Sequence, residues 1–161
     1  MFIGLTVSGC GFHLRGSQLG VQSLPPIYIK GEDLKGVDVM YSVMRQSGVA
    51  VVGRGEEAAL VLDLISEKRE RRVLSVDTSG KVQEYELHYV VVFAVEDQNE
   101  KILMSEQRIS LIRDFDYSGD DVLAKESEAD GLYQVMQEEA AGQIIMRMNA
   151  QLGATLGEPA K

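Results

Sequence analysis

Three pairs of identical adjacent acids, Glu56-Glu57, Asp120-Asp121 and Glu138-Glu139, are the first residues of this 161-residue chain to weigh for acid–base chemistry. Neighbouring side chains point to opposite faces of a strand and diverge by ~100° on a helix, so no such pair can set two carboxylates face to face across a bond. They read as solvated charges. His13 and His88 stand neither in an HExxH-like spacing nor beside a cysteine, which leaves no metal site and no cofactor to expect. Gly53-Arg54-Gly55 lacks the third glycine of a dinucleotide loop and reads as a turn. A serine nucleophile in a G-x-S-x-G elbow is missing too, so the expectation is a protein without catalytic residues.

Binding chemistry is better represented. With 16 Lys+Arg against 25 Asp+Glu the net charge is -9, a poor match to phosphate-rich polymers, and no nucleic-acid partner is expected. Against that acidic background the run Lys68-Arg69-Glu70-Arg71-Arg72 stands out. It reads either as the solvated part of a strand protruding beyond the core or as a local anion site. Screening over ~8–10 Å hides distant acids from such a cluster, and arginine offers a planar fork to phosphate.

The elements that carry these residues follow from periodicity. Ile27-Tyr28-Ile29-Lys30 reads as a short strand stopped by Gly31, after a segment that ends in Pro25-Pro26. From Leu34 to Ser47 the residues Val37, Met40, Tyr41 and Met44 recur at helical spacing, and Gly48 supplies a stop. Ala59 to Val76 is extended and reaches turn chemistry at Asp77-Thr78-Ser79-Gly80. In the next strand Tyr85, Leu87, Tyr89, Val91, Phe93 and Val95 share one face, with Glu84, Glu86 and His88 opposite. Asp97-Gln98-Asn99-Glu100 turns the chain into a third long strand, Ile102 to Phe115. A final helix is expected from an N-cap at Ser127, with Asp130 completing a capping-box variant, to a stop at Gly153. Its apolar stripe is Leu132, Val135, Met136, Ala140, Ile144, Met148 and Leu152.

The order βαβββα predicts an α/β two-layer sandwich: a four-stranded, largely antiparallel or mixed sheet with two helices on one face. A single domain over 27–153 is expected, with a flexible tail at 154–161. In such a meander the turn between the second and third strands lies where the fourth strand ends, so Arg72, Lys81 and Lys125 should gather at one tip. On the outer sheet face Val90, Val92 and Ala94 follow the polar half, which marks Val90 and Val92 as a candidate partner interface. A helix end or loop covering those valines is the equal alternative.

The first ten residues are apolar, uncharged and closed by small residues before the only cysteine, Cys10. Val7-Ser8-Gly9-Cys10 resembles a bacterial lipobox, in which the cysteine thiol carries a diacylglycerol; the other reading is a buried cysteine near an ordinary N-terminus. Under the lipobox reading residues 1–9 are part of a signal segment whose charged start lies upstream, and 10–26 are an acylated tether. Cys10-Gly11-Phe12-His13-Leu14-Arg15-Gly16 closely resembles the mature start of the LPS-assembly lipoprotein family LptE (RlpB), and this selects the lipobox. The resemblance runs to about Leu152, through Ser47-Gly48-Val49, Glu84-Tyr85 and Leu123-Ala124-Lys125.

The resemblance implies a lipoprotein of the outer membrane, acyl-anchored at Cys10 on the periplasmic face. It further implies a partnership with the β-barrel translocon LptD and lipopolysaccharide as ligand. It places a lipopolysaccharide-binding lysine at Lys125 and a basic residue in the hairpin turn, where this chain has Thr78; Lys81 or Arg72 would then supply the missing charge. The alternative from another class is a periplasmic structural lipoprotein without a lipid ligand.

Overall fold

A computed structural model describes residues 24–53, 58–119 and 121–156. Cys10, His13 and the pair Glu56-Glu57 lie outside the described residues, as do Arg54, Gly55, Asp120 and 157–161.

Strand β1 is Ile27–Lys30, and its two isoleucines alternate into the core with no exposure. It pairs in parallel with β2, Leu60–Val76, so the chain must cross over between them, and α1, Val37–Gln46, lies in that crossover. Strands β2, β3 (Val82–Asp97) and β4 (Ile102–Asp116) then form an antiparallel meander in the order β1-β2-β3-β4. Two matching turns join them. Asp77 Oδ1 accepts the backbone N–H groups of Ser79 (2.8 Å) and Lys81 (2.9 Å), and Asp97 Oδ1 accepts those of Asn99 (2.7 Å) and Lys101 (3.0 Å). Gly80 takes the positive φ of 86° in the first, whereas Glu100 takes 61° in the second.

Helix α2, Val122–Leu156, lies with α1 on one face of the sheet, so the two-layer α/β arrangement expected from the element order is the one observed. Its 35 residues span about 52 Å at 1.5 Å per residue, matching the ~50–55 Å of the long strands beneath it. Leu87, Tyr89, Val91, Phe93 and Val95 meet Met136, Ala140, Ile144 and Met148 in the core.

Four local expectations need correction. Helix α1 begins at Val37 rather than Leu34 because its first free N–H, that of Gly36, is accepted by Glu67 Oε2 (2.8 Å), a residue of β2. Helix α2 begins at Val122, with Asp121 Oδ1 accepting the Ala124 N–H (3.0 Å), so Ser127 lies inside the helix. The apolar stripe starts later, at Ala129, because the first turns reach past the core; periodicity reports burial, not the start of the helix. At the other end Gly153 is helical, and the helix continues to Leu156. Val135, placed in the stripe by spacing, is 44% exposed, while Tyr133, Gln137, Ala141 and Ile145 are buried in its stead.

Candidate functional site at the hairpin tip

Strand β2 changes face midway. Leu60, Leu62 and Leu64 point into the core, but a register shift between Leu64 and Ser66 leaves Ile65 unpaired and inverts the phase. Beyond it Glu67, Arg69 and Arg71 lie opposite Val91, Tyr89 and Leu87 and so face the helices. Lys68, Glu70 and Arg72 face outward. The basic run is therefore two half-runs with different surroundings, which neither sequence reading anticipated.

The outward half forms an exposed ladder. Lys68 Nζ (2.8 Å) and Arg72 Nε (2.8 Å) both reach Glu70, and the Arg72 and Lys68 hydrogen bonds hold that carboxyl at about 2. The inward half is covered by α2. Glu67, with a side chain only 6% exposed, accepts from Gly36 N–H, from Gln137 Nε2 (2.7 Å) and from Arg69 Nε (3.4 Å). Burial, and next the Glu67 charge, hold the Tyr89 hydroxyl above its ordinary value, so it stays protonated beside that carboxylate. Arg69 stacks 5.3 Å from the Tyr133 ring centroid, and the Tyr133 hydroxyl donates to Glu70 O (2.8 Å).

Nearer the turn, Arg71 donates through both terminal nitrogens to the two Glu126 oxygens, each at 2.8 Å, and lies 5.1 Å from the Tyr85 ring centroid. Tyr85 meets Tyr117 edge-on at 4.9 Å, and Tyr117 meets Phe115 at 6.0 Å. Lys125 Nζ donates to Asp116 O (2.8 Å) and Glu128 (3.1 Å) and sits 5.5 Å from the Phe115 ring centroid. From the turn, Lys81 Nζ donates to Gly119 O (3.1 Å). Lys81 and Lys125 are thus brought to the same end of the sheet, on the loop that follows β4. Arg72 is not brought to them: it stands on the outer face, paired with Glu70. Exposed aliphatics rim this tip, with Val73, Leu74 and Val76 on β2 and Val122 and Leu123 on α2; Leu123 is 83% exposed.

On the outer face Val90 and Val92 are half-buried and lie beside Lys68, Ser110, Ser66 and Arg108 in the ladder, while Ala94 is buried. Ile112, 54% exposed, joins this face opposite His88, whose Nε2 contacts Glu86. Of the acid pairs, Glu138 accepts from Gln134 and Glu139 from Arg113 (3.0 Å), as surface charges do. Among the described residues no group of three His, Cys, Asp or Glu is placed to hold a metal, and no helix is long and apolar enough to cross a membrane.

Sequence reading reached Arg71 only as one member of the basic run and missed Glu67, Gln137, Glu126 and Tyr133. The only available signal was Gln137 on the apolar side of a helix, a buried amide that needs a partner.

Fold and tip together define a small α/β domain, a four-stranded mixed sheet backed by two helices, whose free end joins cations to exposed aliphatic side chains. The chain belongs to the LptE, lipopolysaccharide-assembly, family, whose model matches residues 36–148. It is 28% identical over 153 residues to the LPS-assembly lipoprotein LptE of Photorhabdus laumondii, covering 92% of this chain and 83% of that protein. The LptE of Yersinia enterocolitica is 28% identical over 154 residues, covering 92% and 73%. Among solved structures it is similar to rare lipoprotein B from Shewanella oneidensis, with TM-score 0.66 and 27% identity over 83% of this chain and 99% of that one. Lipoprotein B from Nitrosomonas europaea is similar at TM-score 0.68 and 31% identity, over 92% and 95%.

Proposed function

We propose that this protein is an acyl-anchored lipoprotein of the outer membrane that partners an LptD-type β-barrel and presents its hairpin tip to lipopolysaccharide in transit. The observation that carries this reading is the meeting of Lys81 and Lys125 at one end of the sheet, rimmed by exposed Val73, Val76, Val122 and Leu123, in a chain of the lipopolysaccharide-assembly family. Cations suit the phosphates of such a lipid and aliphatic side chains suit its acyl tails; together they select an anionic amphiphile over a free anion. The role is one of binding, without a reaction. The anchor is Cys10, where two or three acyl chains hold a protein stably and one alone is marginal. The partner surface is the outer sheet face at Val90 and Val92, apolar in part and left without a covering helix among the described residues.

Affinity purification of the full chain from outer membranes, joined to a lipopolysaccharide titration, tests the proposal. A co-purifying β-barrel and saturable, salt-dependent binding are expected. A barrel without lipopolysaccharide binding leaves a structural lipoprotein, and the absence of both results overturns the reading.

A further inference from the structure

The ion pair at the tip that closes through two parallel hydrogen bonds, Arg71 with Glu126, has no part in the proposed function. Arg71 is 29% exposed and Glu126 45% exposed, so the carboxylate is the outer member and the guanidinium the inner one. An anion arriving from solvent meets Arg71 along the path that Glu126 now fills. The two parallel N–H···O bonds are the geometry in which arginine also receives two phosphate oxygens. Arg71 has a second support besides Glu126, because it lies over Tyr85, which itself meets Tyr117 edge-on. The same arrangement repeats one residue away: Lys125, 24% exposed, is braced on Phe115 and capped by the more exposed Glu128, at 54%.

We propose that Arg71 is a further phosphate-binding residue of the tip, held by the chain's own Glu126 as a stand-in anion, so that a phosphorylated lipid binds by displacing that carboxylate. The inference rests on the tip being the lipopolysaccharide site and adds to it both a ligand residue and an exchange step. The Tyr117 hydroxyl, which now donates to Glu126 at 3.4 Å, passes to the incoming phosphate. Exchange keeps the cations from standing uncompensated beneath a helix, and it sets the affinity low enough for a ligand that must be passed on.

A strand-to-helix clamp with no ligand role predicts the opposite response to mutation, and the experiment uses that difference. Full-length parent, Glu126→Gln, Glu126→Asp, Glu126→Gln/Arg71→Gln and Glu128→Gln proteins are titrated with fluorescent lipopolysaccharide and, separately, with inorganic phosphate. Circular dichroism checks the fold of each. A partly exposed pair contributes up to about 1 kcal/mol, so removing the competing carboxylate should tighten lipopolysaccharide binding up to about fivefold. Glu126→Asp, too short to reach both nitrogens, should gain part of this, and Arg71→Gln in the Glu126→Gln background should abolish the gain. Equal or weaker binding by folded Glu126→Gln and Glu126→Asp proteins overturns the inference while leaving the tip proposal standing. Should no protein bind lipopolysaccharide, the tip proposal falls. The phosphate arm then decides this one: tighter, Arg71-dependent phosphate binding by Glu126→Gln sustains it, and none removes it.

Discussion

Replacing Glu67 by alanine should cost as much as truncating a core leucine of β2, although the residue lies in its charged half. The carboxylate is the acceptor for the first free N–H of α1, and losing such a cap costs about 1 kcal/mol. It also satisfies Gln137, 4% exposed, and lies against the hydroxyl of Tyr89, 3% exposed. Each buried donor left without an acceptor costs about 1–3 kcal/mol. Arg69 adds little, since its side chain is 25% exposed and remains stacked on Tyr133. Water entering the vacated space recovers part of the loss, so the sum is about 3 kcal/mol, a large share of the ~5–15 kcal/mol that stabilises a domain. With a urea m-value of about 2 kcal/mol/M the unfolding midpoint should fall by about 1.5 M. Glu67→Gln, which keeps one acceptor oxygen, should lose about a third as much. Lipopolysaccharide binding by the folded fraction should be preserved, because the tip contacts do not run through Glu67. A loss below about 1 kcal/mol for Glu67→Ala would refute the claim that this carboxylate joins both helices to the sheet.

Lys81→Ala combined with Lys125→Ala should weaken lipopolysaccharide binding about tenfold or more and flatten its salt dependence, read by fluorescence titration; Lys125→Ala alone should also cost about 1 kcal/mol of stability through its bond to Asp116 O. The Arg71 hydrogen bond holds the Glu126 carboxyl below its ordinary 4.5. Its contribution to stability is therefore complete above that value and lost as pH falls through the lowered folded value. Urea midpoints taken from about pH 6 down to about pH 2 should show a shallower acid decline in Glu126→Gln than in the parent. Val92→Asp should reduce recovery of the barrel partner while leaving the melting temperature within a few degrees, since Val92 is only half-buried. Cys10→Ala should abolish fatty-acid labelling and release the chain into the soluble periplasmic fraction; a labelled mutant would place the acyl group elsewhere.

Local chemistry that repeats with the period of an element was legible without coordinates. The alternation from Tyr85 to Val95 marks one buried face because successive strand residues point opposite ways, and the observed strand obeys it. The turns at Asp77 and Asp97 were legible because a single aspartate side chain closes each one. Element order alone then implied a sheet with helices on one face, and put Lys81 and Lys125 at the same end. What the chain could not announce is the phase of β2. Carried past Leu64, strict alternation turns Lys68, Glu70 and Arg72 inward, and a single unpaired residue, Ile65, inverts that choice. Whether a bulge forms there depends on which neighbours α2 offers: Gln137, Tyr133 and Glu126 can accommodate Glu67, Arg69 and Arg71, and they lie 55 or more residues away in the chain. Separation along the chain also hid the true start of α1, capped from β2 by a residue 31 positions away, and the hold on the first turns of α2, which are kept by charges and not by an apolar stripe. Periodicity is a property of neighbouring residues, whereas satisfying a buried charge is a property of whatever the fold brings against it.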